Sequence, residues 1–335
     1  MTATRPVQDA LPQTAETQTR GPRLRQQLQQ LLAFAGLVVI FAFFSIASPY
    51  FLEWANVKGI LLATAVTGIM ALGATFVIAT GGIDLSVGTG MTLCAVMTGV
   101  FLTNLGLPLV VGVLGGIATG AVLGLINGLN VAFLRIPPFI ATLATMLVAQ
   151  GLSLIISGTK PIYFSDVAGF TEIALGEVVP GLPNAVLIFF LSALVAGLLL
   201  SKGLIGRYAL SIGSNEEATA ISGIDVRRWK VAVYTLAGVF TGFAGVVIAS
   251  RLNSAQPGLG LGYELEAIAA VVIGGTSLRG GRGTVLGTVI GALIMATLTN
   301  GLRIMSIPQE WQKVAVGIVI VLAVYADILR RGKDA

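Results

Sequence analysis

The chain has no histidine and a single cysteine, and only 10% of its residues are charged. Without histidine, zinc chemistry of the histidine-ligated kind and a histidine proton relay are excluded. Cys94 stands alone inside an apolar run, so neither a disulfide framework nor a metal cluster can be built on it. Aromatic residues make up 7% of the chain and form no stacking platform. There is no phosphate-binding loop either. The Gly-rich basic turn Arg279-Gly280-Gly281-Arg282-Gly283 lacks the Gly-Lys-Ser/Thr ending, and Gly332-Lys333 is followed by Asp334. With no paired carboxylates on a helix and no nucleophile beside a base, no catalytic residue is expected, and no metal or cofactor site.

What the chain has is apolar length. Of 335 residues, 55% are hydrophobic and 43 are glycine, with a mean hydropathy of +0.92. No soluble globular domain has that composition. A membrane span takes about 20 mostly apolar residues, and ten runs qualify: 31–52, 57–80, 85–105, 107–134, 138–157, 184–200, 229–250, 263–275, 284–302 and 311–329. The expected fold is all-α, a polytopic transmembrane helical bundle of about ten spans.

The basic residues orient it. With the N-terminus cytoplasmic and all ten runs crossing, the inside receives fifteen of the twenty Lys and Arg residues. The outside receives five: Lys58, Lys160, Arg251, Arg303 and Lys313. That is a strong positive-inside bias, so both termini are expected to be cytoplasmic. The net charge of +5 reflects this asymmetry and does not argue for nucleic-acid binding. The expected organisation is a disordered polar cytoplasmic tail over 1–28, a transmembrane domain over 29–331, and a short cytoplasmic tail over 332–335. The first apolar run is expected to be retained as a span, since it begins late and lacks a small-residue cleavage site. Within the domain, 201–230 forms a cytoplasmic loop and 158–183 a net acidic external one, which either receives a partner or covers the helix ends.

One break and two stripes stand out. After the second run comes Thr80-Gly81-Gly82-Ile83-Asp84-Leu85-Ser86-Val87-Gly88. Adjacent glycines interrupt the helix, and the Asp84 carboxylate falls between long apolar runs, where a charge is expensive. Either Gly81, Gly82, Asp84 and Ser86 line or gate a path, or they form a tight turn with Asp84 capping the third helix. Glu264 and Glu266 fall near the outer end of the eighth run, where water is expected to reach them. Gly112, Gly116, Gly120, Gly124 and Gly128 make one helical stripe, and Gly283, Gly287 and Gly291 a shorter one. Both are expected to be internal helix contacts.

In the loop over 201–230, Ser214-Asn215-Glu216-Glu217 reads as a helix start. The Ser214 hydroxyl is placed to accept from the Glu217 amide while the Glu217 carboxylate reaches back. Gly223 supplies the stop. Ala218, Ile221 and Ile224 give the two intervening turns an apolar side, flanked by Arg207, Arg227, Arg228 and Lys230. This is a docking peg, or an ordinary capped helix lying on its own protein.

Three stretches together resemble the membrane permease subunits of ATP-binding-cassette sugar importers of the ribose, xylose, arabinose and galactoside type. They are T-G-G-I-D-L-S-V-G at Thr80–Gly88, Ile212–Ile224 as a version of the coupling loop, and Gly258–Gly301 with A-I-A-A-V-V-I-G-G-T-S-L-R-G-G-R-G-T-V-L-G-T. The resemblance covers about Ala47 to Arg330. It implies a bacterial inner-membrane subunit that works as a pair of permeases, a homodimer or two related chains. Two ATPase subunits holding ATP and magnesium lie beneath, and a periplasmic or extracellular sugar-binding protein lies above. The helix at Asn215–Ser222 would then be the coupling helix, with Ser214, Asn215, Glu216, Glu217, Ala218, Ile221 and Gly223 its residues. Thr219 stands where a second alanine is usual, and Ala220 where the sugar type more often has a basic residue. A bulky charge at Ala218 or Gly223 is expected to uncouple ATP hydrolysis from uptake. The residues alone leave open an ion- or proton-coupled secondary transporter, for which Asp84, Glu264 and Glu266 are the inner titratable groups.

Overall fold

The computed structural model describes the backbone of residues 21–332, so residues 1–20 of the tail expected over 1–28 and residues 333–335 of the tail expected over 332–335 lie outside the described residues. Helix α1 (Gly21–Ala47) begins inside the stretch expected to be a disordered tail. It is followed by α2 (Trp54–Ala79), α3 (Val87–Gly99, prolonged by a π-helical turn over Val100–Asn104), α4 (Leu109–Ala132) and α5 (Pro138–Ser157). Next come strand β1 (Ile162–Tyr163), the short α6 (Glu172–Leu175), α7 (Asn184–Ser201), α8 (Leu204–Ser214) and α9 (Glu216–Ile221). The chain ends with α10 (Val226–Leu252), strand β2 (Ser254–Ala255), α11 (Tyr263–Ile273), α12 (Val285–Ile304) and α13 (Gln309–Gly332). Among the described residues, eight helices are long and apolar enough to cross a membrane: the apolar part of α1, then α2, α3 with its π-turn, α4, α5, α7, α10 and α12. The expected eighth and tenth spans correspond to α11 and α13, outside that group.

Helix α2 is the centre of the bundle. It is apolar all round and buried without a break from Thr64 to Ala79, as a helix enclosed by others must be. Helices α7, α10, α11 and α12 pack around it. The glycine stripe of α4 faces inward and splits in two. A Cβ on Gly112 or Gly116 would run into Leu102 or Thr98 of the third span, whereas one on Gly120, Gly124 or Gly128 would run into the α10 backbone at Gly238, Tyr234 or Val231. From α10, Gly242 returns the contact at Ile117. The second stripe does the same between α12 and α11, where Gly287 meets Gly274 and Gly291 meets Ala270, while Gly283 is less tightly packed. Both stripes are internal seams.

The two ends differ. At one, β1 pairs antiparallel with β2 in the register Ile162↔Ala255 and Tyr163↔Ser254, a small departure from an all-α chain. The loop over 158–183 folds down there. Phe164 and Phe170 are stacked and fully buried, and the Ser250 hydroxyl of α10 donates to the Phe170 carbonyl and accepts from the Ala174 amide. Lys58 and Glu177 form an ion pair at 2.6 Å over it. The other end gathers the 80–86 break, the turn between α4 and α5, α8, α9 and the Gly-rich turn after α11.

Candidate functional site

The break after α2 is a turn that re-enters the bundle. Gly81 has φ +81°, a conformation glycine adopts without strain, and the carbonyls of Val77 and Ile78 close the helix by accepting from Gly82 and Gly81. Asp84 is 3% exposed. Its Oδ1 accepts from both the amide and the hydroxyl of Ser86, at 2.8 and 2.6 Å, an Asx-type turn one residue ahead of α3. Asn127 of α4 donates to the Ser86 hydroxyl at 2.8 Å, and Thr142 of α5 donates to the Ile83 carbonyl at 3.2 Å. A side chain at Gly82 would collide with the Tyr234 hydroxyl of α10. Thus Gly82, Asp84 and Ser86 come together as one buried cluster, held by α4, α5 and α10, while Gly81 at the turn itself is exposed. Irregular backbone at this depth is tolerated because protein groups satisfy it.

The helix start in the loop over 201–230 is shifted by one residue from the expected one. Ser214 ends α8, and Asn215 is the N-cap of α9, its Oδ1 accepting from the Ala218 amide at 2.9 Å. The reciprocal Glu217 bond is not made, so there is no capping box. Lys230 holds Glu216 instead, at 2.7 Å. Sequence reading also missed α8 altogether. The signal was there in Ile205, Tyr208, Ala209 and Ile212, spaced at three and four residues along one face, but Gly203, Gly206 and Gly213 made the stretch look like loop.

Helix α9 rests on the protein through one residue and shows the others. Thr219 is buried and donates to the Asn215 carbonyl at 2.7 Å, while Ala218 is exposed and Ile221 is 81% exposed. Gly223 ends it at φ +83°, with no atom within 4 Å of where a Cβ would be. The peg is tied to the core just upstream. Gly213 lies against the Ala79 carbonyl at the end of α2 and against Gly280 and Gly281, and the Gly281 amide donates to that same carbonyl at 2.9 Å. Beside it, the rings of Tyr208 and Trp229 pack with centroids 4.6 Å apart and their planes tilted by 54°. Through α8, α9 is thus linked to the end of α2 and to the α11–α12 turn.

Two further placements depart from expectation. Glu264 is 7% exposed rather than solvated, because residues 256–262 dip into the bundle and bring Gly260 and Glu264 against Gly88 at the start of α3. Arg251 and Arg303, two of the five outer basic residues, converge with Glu266 on one polar cavity. Nothing in the one-dimensional pattern pairs these side chains.

Comparison with known proteins now gives the setting. Residues 56–324 match the family described as branched-chain amino acid transport system / permease component. The ribose import permease protein of Bacillus subtilis is 43% identical over 317 residues, covering 94% of this chain and 98% of that one. The ribose import permease protein of Escherichia coli K12 is 40% identical over 307 residues, 90% and 94% of the two chains. The L-arabinose transport system permease protein of the same strain is 38% identical over 306 residues, 91% of each. No solved structure matches. With matches that run nearly end to end, this multi-pass membrane chain belongs to the branched-chain amino acid transport system / permease component family, among its ATP-binding-cassette import permeases.

Proposed function

We propose that the chain is the pore-forming subunit of an ATP-driven monosaccharide importer in a bacterial inner membrane, with both termini and α9 on the cytoplasmic side. The relatives named for ribose and arabinose, each aligned over nine-tenths of this chain or more, support the sugar class. ATP and magnesium belong to separate ATPase subunits, a sugar-binding protein delivers substrate from outside, and a second permease copy completes the pore.

The observation that carries the reading is α9. A six-residue helix, too short to be stable alone, is capped, salt-bridged and anchored through Gly213, yet presents Ile221 and Ala218 outward. That geometry suits a knob seated in a groove of a partner. Closure of the ATPases on ATP biases the pore only through differential contacts with its two states, and the Gly213 contact with Ala79 and Gly281 offers the route. The test is co-purification of the ATPase with the tagged permease from native membranes in mild detergent, together with sugar uptake. Ile221→Glu is expected to abolish both capture and uptake while the protein inserts normally. An ATPase retained at the wild-type level by Ile221→Glu would overturn the coupling role. ATP-independent uptake by the wild type would favour a secondary transporter.

A further inference from the structure

The outer halves of α2, α10, α11 and α12 enclose a cavity of about 120 Å³. Arg251 closes the last turn of α10, Asn300 and Arg303 the end of α12, and Thr67 comes from α2. Tyr263 and Glu266 line it from the first turn of α11. Helix α11 has 11 residues, roughly 16 Å at 1.5 Å per residue, or about half of a ~30 Å hydrocarbon core. Its start therefore lies near mid-depth, and the cavity runs from there to the outer helix ends.

These groups are not used up by one another. Glu266 accepts a single bond, from Thr67, at the 3.5 Å limit. Among the described residues, no ion pair within 4 Å joins Glu266 to either arginine. The amide oxygen of Asn300 and the hydroxyl of its neighbour Thr299 are buried without a partner. Charged and polar side chains inside a membrane protein are expensive and mark functional sites, and convergent polar groups around a cavity are the mark of a ligand site.

The chemistry selects the ligand class. A carboxylate and an amide oxygen accept from hydroxyls, guanidinium groups donate to them in a planar fork, and the Tyr263 ring supplies an aromatic wall. One negative and two positive groups make neither a cation trap nor a phosphate cradle. A branched-chain amino acid would need an apolar pocket beside the charges, and the apolar lining is limited to Ala63, Val66 and Ala296. We infer that this chamber is where the permease itself holds the incoming monosaccharide, its hydroxyls bonded by Glu266, Asn300 and the two arginines, before the path opens inward. The inference rests on the importer reading and adds to it a selectivity site within the permease. It also joins the two ends: α2, and the helices α11 and α12 whose connecting turn touches the coupling loop below, carry chamber residues above.

The test uses the complete importer in proteoliposomes with its ATPase and sugar-binding protein, supplied with labelled ribose, xylose, L-arabinose, their deoxy analogues and leucine. Glu266→Gln and Asn300→Ala are expected to lower import of the transported sugar roughly tenfold, as for loss of a hydrogen bond to a charged or buried group. Asn300→Ala is also expected to narrow the preference for the sugar over an analogue lacking one hydroxyl, which a merely structural defect would leave unchanged. Independently, in a Cys94→Ala background, Asn300→Cys is expected to react with an impermeant thiol reagent from outside, more slowly when transported sugar is saturating. Equal slowing of sugar and analogue without protection, or wild-type import by both variants, would overturn the chamber while leaving the importer standing. A wild type that moves none of the sugars would remove both, and import of leucine in their place would overturn the polyol assignment.

Discussion

Glu177 lies outside the membrane, where its carboxylate accepts from Lys58 at 2.6 Å and from the Gly181 amide at 2.7 Å. The bond from Lys58 first, and the amide second, hold its carboxyl below the ordinary glutamate value. A group whose folded pKa is depressed contributes its tie above the unfolded value and loses it as pH falls through the folded one. The loop over 158–183 is thus expected to loosen at acidic pH, below the usual carboxylate range. Glu177→Gln should already be loose at neutral pH and insensitive to acid. Limited proteolysis of the loop against pH measures this, and a loop equally protected at all pH values in both proteins would contradict it. Single residues also show where reading the sequence reaches its limit. Ser214 and Asn215 are equally good caps by type, and only the extra turn of α8, which takes up Ser214, decides between them. The placement of the peg was legible; its first bond was not.

Among the elements, eight of the ten expected spans were legible because twenty-odd apolar residues admit few alternatives, and the α4 stripe because four-residue spacing puts its glycines on one face. Its partner was not read, although Gly238, Gly242 and Gly245 of α10 repeat at similar spacing. A close contact belongs to two helices, and periodicity reports one at a time. The seam makes a contrast available. A Cβ on Gly120 would meet the Gly238 carbonyl and the Gly242 backbone, whereas one on Gly151 in α5 would meet nothing within 4 Å. Gly120→Leu has no flexible side chain to push aside and is expected to cost at least the 1–3 kcal/mol, roughly, of ordinary overpacking. Gly151→Leu should be neutral or stabilise by up to about 1 kcal/mol through helix propensity. Thermal unfolding of the two purified variants in one detergent measures the difference, and equal stability would mean that α4 and α10 do not pack as described. Gly223 offers a related lesson. Its φ of +83° means that Gly223→Arg would strain the turn as well as add charge, so Ile221 is the cleaner probe of coupling.

For the molecule as a whole, topology turns on α11. Its 11 residues do not cross a membrane alone, and among the described residues eight helices, with neither α11 nor α13 included, are long and apolar enough to do so. The stretch over 256–262, however, leaves β2 at the outer end and descends to Gly88, from where α11 continues to the Gly-rich turn beside Gly213. Linker and half-helix together are expected to make one crossing. With that crossing included, α12 runs outward and α13 returns, Arg279 and Arg282 fall on the side of α9, and the fifteen-to-five distribution of basic residues holds. Without it, everything after α10 changes sides. Single cysteines in a Cys94→Ala background separate the two arrangements. Val178→Cys, in the exposed outer loop, and Met305→Cys, after α12, are expected to react with an impermeant reagent in intact cells, and Ile221→Cys only once the membrane is opened. If Met305→Cys instead reacts together with Ile221→Cys, α11 does not complete a crossing. The basic turn and the peg would then lie on opposite sides of the membrane, contradicting the contact of Gly213 with Gly281 through which coupling is proposed to pass.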